Sequence, residues 1–381
     1  MNWQRLEKLD STNMKGHIES QGRSISLSIK NEIENLKKIS EKLKGCQNFV
    51  FSGCGDKYIV PLITQYLWRQ CSNKPLDVYH SRIIADYTPK NINKNTCVVF
   101  LSQSGQTADV LEAFDAVSKN NCWIVCITNL KEEKENSLGL KCKNYKKSFF
   151  VKTWTEIYPE TPLPSTATFH TSLTLLNLLT LIMFDWEVAL DIQINQIPKL
   201  VDTLSRSEKV KEFAKKIVTK LRNEENFYVV GDGPRYLVAR KAARIMFMEG
   251  VKTNACDIEG EEFVHSLIEV IERKPNVLLL LKPLEFWEKS IKIYDEIKSL
   301  WPKKLLIEID PFSFLNIEYK SMFAGEEGNL LSPFLYIIPL EWISYYLALI
   351  KRVDPGKGKI VSKVRSQKNI QNLYNLENQI K

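Results

Sequence analysis

The stretch FLSQSGQTADVLEAF, Phe100 to Phe114, changes character in its middle. An apolar, β-branched run, Cys97-Val-Val-Phe-Leu101, ends in Ser102-Gln103-Ser104-Gly105-Gln106-Thr107. Behind it, Ala108, Val110, Leu111, Phe114 and Val117 recur at helical spacing. A buried strand that turns at once into a helix is the repeating unit of an α/β fold. In open parallel sheets ligands bind beyond the carboxyl ends of the strands. The first N–H groups of the helix are unpaired there and sit at the positive end of its dipole. Gly105 lets the backbone approach a ligand, and Ser102, Ser104 and Thr107 add short hydroxyl donors. The loop Ser102, Gln103, Ser104, Gly105, Thr107 therefore reads as a nest for a phosphate monoester that needs no lysine. The competing reading makes Ser104 or Thr107 a plain helix N-cap.

The same alternation runs along most of the chain. Strands are predicted at NFVFSG (48–53), LDVYHS (76–81), TCVVFLS (96–102), CWIVCIT (122–128) and KSFFVKT (147–153). A second set follows at NFYVVGDG (226–233), VLLLLKP (277–283), KLLIEID (304–310) and FLYIIPL (334–340). Strands separated by helical stretches imply parallel sheets with right-handed crossovers. NFVFSGCGDKYIV (48–60) aligns with NFYVVGDGPRYLV (226–238), matching Gly53 to Gly231, Gly55 to Gly233 and Lys57 to Arg235. That is a duplicated α/β domain. The expected organisation is an N-terminal helical segment (1–40), a first domain (41–195), a second (205–352) and a C-terminal tail (353–381). A helical link spans 171–222, including the apolar TSLTLLNLLTLIMF. The strand VLLLLKP of the second half runs into Lys282-Pro283 with no hydroxyl cluster, so only one half is built for phosphate.

Composition narrows the function classes. The 381 residues are 44% hydrophobic and 26% charged, with a net charge of +8. The lysines are interleaved with glutamates, as in NEIENLKKISEKLKG, which describes a solvated surface and makes no case for nucleic acid. An uninterrupted apolar run of membrane length is missing, and MNWQRLEKLDSTNMKGH has no secretion-signal core, so a cytoplasmic protein without a membrane span is expected. Eight scattered cysteines without a CxxC pair suggest thiols, and no metal constellation is visible. GCGDKY and GDGPRY lack the third glycine of a dinucleotide fingerprint, so no cofactor is expected.

LSQSGQTADVL resembles the phosphate loop of the sugar isomerase (SIS) domain, as it occurs in the isomerase half of glucosamine-6-phosphate synthases. The resemblance extends over about residues 14–366, through MKGHIESQGRSI, SGCGDKY, TEI with PSTATFHT, and PLEWISYYLALIKRVDPGKGKIVSKVRS. It implies two tandem SIS domains, each a flavodoxin-like parallel sheet flanked by helices. It also implies proton transfer between C1 and C2 of a hexose 6-phosphate, with fructose 6-phosphate and glucosamine 6-phosphate as substrates in an isomerase or deaminase direction. Asn2 stands where the glutaminase half of a synthase has a catalytic cysteine, so ammonia from solution or from a separate ammonia-supplying chain is implied.

Site roles follow position by position. Glu249 and His265, sixteen residues apart, match the base and the ring-opening histidine of the family; the histidine serves the neighbouring subunit, which implies a homodimer with a shared active site. On their own, Glu249 could end a buried helix before Gly250, and His265 could be a core histidine. Lys363 matches the imine-forming lysine, or is one more basic residue of a basic tail. Gly53, Gly55, Asp56 and Lys57 occupy the first glycine turn, Glu156 the sugar-contacting position, and Ser165 and Thr166 the neighbourhood of the phosphate. Two departures stand out: Met246 replaces a lysine, and Asp56-Lys57 replaces small hydroxyl residues. They keep open a deglycase of 6-phosphorylated fructosamines, with a non-catalytic sugar-phosphate sensor as a third reading.

Overall fold

The computed structural model describes residues 1–129, 137–273, 275–284 and 287–358. Its frame is two parallel sheets. The first joins β1 (Asn48–Gly53), β2 (Leu76–His80), β3 (Thr96–Ser102), β4 (Trp123–Thr128) and β5 (Ser148–Lys152) in the order β2-β1-β3-β4-β5. The second joins β6 (Asn226–Gly231), β7 (Asn254–Glu259), β8 (Val277–Leu281) and β9 (Leu306–Ile309) in the order β7-β6-β8-β9. All neighbouring strands are parallel. The two sheets thus share one winding, the doubly wound order in which the chain reverses direction between the first strand and the third. Even the register repeats: Gly53 pairs with His80, and Gly231 with Glu259.

The central strands are apolar on both faces because helices cover both. All seven residues of β3 and all five of β8 are buried. The first half's link to the second is helical, as expected: Ala167–Met183, Ile197–Arg206 and Glu208–Leu221. Ahead of the sheet, Gln21–Leu43 packs along Ala167–Met183. One apolar cluster runs through both halves, from Phe49 and Phe51 to Phe227 and Val229.

Two elements differ from expectation. FLYIIPL (334–340) is not a strand; it lies inside the helix Pro333–Ile350, whose residues 333–349 are all buried. An apolar run enclosed on every side carries no period, so strand and buried helix look alike in it. Pro333 occupies the first turn, where its missing N–H costs nothing. The stretch Glu326–Ile350 is long and apolar enough to cross a membrane, yet 94% of its most apolar window is buried inside this fold. Conversely, NACDIE (254–259) is a strand the sequence hides. It lies at the sheet edge, so only Ile258 is buried, and Asn254, Asp257 and Glu259 interrupt any apolar run.

Because Leu340 of the Pro333–Ile350 helix is fully enclosed, Leu340→Ala should cost about 2–5 kcal/mol. The shift of the urea unfolding midpoint measures it, and a shift equivalent to under 1 kcal/mol would contradict the enclosed packing.

Candidate functional site

The strand reversal opens a crevice at the carboxyl ends of β1 and β3, and a pocket of about 600 Å³ lies there. The turn after β1 contributes Cys54, Gly55, Asp56 and Lys57. The loop after β3 contributes Ser102, Gln103, Ser104, Gln106 and Thr107. A third wall is the segment 158–163, and Ile245 and Glu249 of the second half close the far side. Glu249 and the hydroxyl loop, 142 residues apart or more in sequence, thus face one cavity.

The loop organises itself. The Gly105 N–H donates to Ser102 Oγ at 3.1 Å, Gln106 N–H to Ser104 Oγ at 3.2 Å, and the Ser102 and Thr107 hydroxyls are 2.9 Å apart. Gly105 has φ +62°, a left-handed conformation that favours glycine. Thr107 occupies the cap position of the helix Ala108–Ser118, but its side chain makes no cap bond. The plain N-cap reading therefore does not describe Thr107; its hydroxyl lies on the pocket wall.

Asp56 and Lys57 belong to a charge cluster behind the loop. The Ser165 hydroxyl donates to Asp56, and Lys57 Nζ lies 3.3 Å from Ser165 Oγ and 3.4 Å from Thr168 Oγ1. Lys241, from the second half, donates to the Ser165 carbonyl at 2.7 Å and stands over the Phe169 ring. Burial works to raise the Asp56 carboxyl, but Lys57, Lys241 and Ser165 outweigh it and hold it below its usual range. Burial pulls the Lys57 ammonium down, against the attraction of Asp56 and Glu160. An acid beside a phosphate loop is therefore compensated from both halves.

Glu160 was not visible as a site residue in the sequence. Its carboxylate accepts the N–H groups of Thr166 (2.6 Å), Ala167 (3.0 Å) and Thr168 (2.7 Å) and the Thr166 hydroxyl (2.8 Å). It caps the helix Ala167–Met183 from six residues upstream, a distance no capping pattern covers. Thr166 is thereby committed to Glu160, and Ser165 to Asp56; neither lines the pocket. Glu156 pairs with Arg23 at 2.5 Å, away from the pocket. Gly53 serves packing, since a Cβ there would meet the Lys57 carbonyl oxygen at 2.4 Å.

Glu249 sits in a π-helical stretch, Ala242–Val251, a rare geometry often found at functional sites. Met246 of that stretch is buried in the core and offers the pocket nothing. His265 ends the short helix Gly260–His265, 70% exposed and 3.7 Å from Glu261, and is no part of this pocket. The core-histidine reading is thereby excluded. Lys363 lies outside the described residues. The sequence showed no metal constellation, but the fold gathers Cys54, His80 and Asp109 at the pocket rim, with ligand-type atoms within 4.8 Å of one another. They come from three elements, which no spacing rule connects.

Comparison with known proteins bears on the fold. The SIS domain family model matches residues 42–182. The first half of the chain is thus similar to a SIS domain. The glutamine–fructose-6-phosphate aminotransferase (isomerizing) of Wigglesworthia glossinidia brevipalpis is 26% identical over 359 residues, covering 90% of this chain and 56% of that protein. The chain spans about half the length of the curated relatives it matches. Among solved structures, the C-terminal domain of glucosamine-fructose-6-phosphate aminotransferase from Francisella tularensis superposes with a TM-score of 0.71 at 19% identity, over 90% of this chain and 97% of that one. Glucosamine-6-phosphate deaminase from Thermotoga maritima gives 0.65, also at 19% identity, over 91% and 97%.

One further buried acid adjoins the cluster. Burial pushes Glu341 up to about 8, against Lys241 and a hydrogen bond from Gln21. Raised in the folded state, this carboxyl stabilises the fold at acid pH and loses that contribution as pH rises towards 8. Glu341→Gln should flatten the decline in stability between pH 5 and 8, read from urea midpoints at the two pH values; an unchanged slope would contradict the assignment.

Proposed function

We propose that this protein is a member of the SIS family and acts on a hexose 6-phosphate by moving a proton between C1 and C2, interconverting fructose 6-phosphate and glucosamine 6-phosphate in the isomerase or deaminase direction. The observation that carries this reading is the meeting of the Ser102–Thr107 anion nest and the Glu249 carboxylate in one pocket. The nest anchors the phosphate through hydroxyls and backbone N–H groups. Anchoring fixes the reacting end of an open-chain sugar at the far wall, where Glu249 takes the proton from one carbon and returns it to its neighbour. His265, exposed on its own subunit, reaches the pocket of a second subunit and opens the ring there, which makes the working unit a homodimer. Lys363 keeps the imine role that the family resemblance implies. The interconversion takes up or releases ammonia.

Burial of Met246 supports a second reading. No ammonium stands at that position, and Asp56 and Asp109 bring carboxylates to the pocket. A deglycase that releases an amine from 6-phosphorylated fructosamines starts with the same proton shuttle and suits such a lining.

NMR in deuterated water separates the two. Deuterium entering C1 or C2 of glucosamine 6-phosphate or fructose 6-phosphate, with amine lost or gained, is the expected result. Turnover confined to a phosphorylated fructosamine would select the deglycase, and silence with all three would sink both. Glu249→Gln should slow exchange by about 10²–10⁴-fold while still binding the phosphorylated ligand; full exchange in that variant would remove Glu249 from the chemistry. Thr107→Val should weaken binding of inorganic phosphate by about 10-fold through loss of a hydrogen bond to a charged group, measured by calorimetry, whereas unchanged binding would move the phosphate out of the loop.

A further inference from the structure

Three side chains at the pocket rim take no part in this proton transfer. Cys54 follows β1, His80 ends β2, and Asp109 lies in the first turn of the helix Ala108–Ser118. Cys54 Sγ is 4.0 Å from Asp109 Oδ2, and His80 completes a triangle whose ligand-type atoms all lie within 4.8 Å. Atoms bound tetrahedrally to zinc at bond lengths of about 2.0–2.3 Å lie roughly 3.5 Å from one another. Closing the triangle to that size takes side-chain movement of about 1 Å. Arg82 Nη1 holds the other oxygen of Asp109 at 3.3 Å and is itself paired with Glu112 at 2.7 Å, so the carboxylate is oriented from behind as metal ligands commonly are. A thiolate, an imidazole and a carboxylate form a donor set for Zn²⁺ and not for Mg²⁺ or Ca²⁺.

The duplicated half supplies a contrast. Alignment places Asp232 where Cys54 stands, and the repeated register places Glu259 where His80 stands. There the position holds two carboxyls, and burial and the Glu259 charge push Asp232 up to about 6. At this place in the fold, sulfur and imidazole stand only in the half that carries the anion loop. Among the described residues no other group of three such side chains comes this close.

We propose that Cys54, His80 and Asp109 bind a zinc-class transition-metal ion at the rim of the pocket, with a fourth coordination position open towards the cavity. On binding, the Cys54 thiol releases its proton to solvent and its sulfur donates an electron pair to the metal. His80 Nδ1 now accepts the Arg82 N–H at 3.2 Å, which places the ring proton on Nε2. Coordination through Nε2 moves that proton to Nδ1 and exchanges the backbone contact for the metal bond.

The test is metal uptake by the reduced, chelator-treated full chain. Zn²⁺ is titrated in competition with a chromophoric chelator, and Co²⁺ is followed by absorption. One ion per chain is expected, with a thiolate-to-cobalt charge-transfer band. Cys54→Ser and Asp109→Asn should each lose the band or weaken binding at least 10- to 100-fold. Arg82→Ala, which leaves the ligands and frees the carboxylate, should cost about 10-fold. Cys256→Ser, which removes the exposed thiol, should change neither readout. Metal-free thermal unfolding of each variant checks that it folds. A wild-type cobalt spectrum without the sulfur band, or equal zinc affinity in wild type and Cys54→Ser, overturns the assignment. Uptake is measured without turnover, so its failure leaves the proton-transfer reading untouched.

Discussion

A parallel sheet sends the carbonyl end of every strand to the same edge, and all site residues of the first half are gathered by that constraint. Loops leaving one edge compete for the same space. Where the winding reverses between β1 and β3, adjacent loops turn away from each other and a crevice remains. The hydroxyl loop and the first glycine turn form the two lips of that crevice. The chemistry of the lips is free to vary because the backbone hydrogen bonds behind them are already made.

The second half closes the pocket of the first. Lys241 crosses from the second half to the Ser165 carbonyl, while Glu249 supplies the far wall. The charges of Asp56, Lys57, Glu160 and Lys241 balance at two negative and two positive. Their balance requires both halves to be docked, since Asp56 is held ionised partly by a lysine from the other domain. Such a cluster contributes little net stability once desolvation is counted, but it penalises any arrangement in which the halves separate. Site geometry and domain docking are thereby one property.

Most of the frame was legible because β1, β3, β4 and β8 are short, apolar and bounded by turn residues, and because the glycine turns repeat at a fixed offset. The loop at 102–107 was legible because its hydroxyls are contiguous. Legibility failed where the third dimension supplies the signal. Residues 334–340 gave no period because they are enclosed on all sides, and 254–259 gave none because an edge strand needs few apolar residues. Glu160 binds its helix from a distance that no local pattern spans. Glu156, chosen by resemblance, is occupied by Arg23. Cys54, His80 and Asp109 converge only because parallel pairing sets Gly53 beside His80.

The π-helical stretch that carries Glu249 has a consequence for how this wall could change over time. Residues of an α-helix are set about 100° apart around its axis. Widening the coil alters that phase, so each side chain's azimuth depends on how many residues are wound into the stretch. Removing one residue from Ala242–Met248 would turn the segment beyond it by about a quarter-turn, swinging the glutamate off the cavity while leaving the core helix Pro333–Ile350 in place. A lineage could thus silence or restore this wall by a single-codon change in length, with no substitution at the carboxylate itself.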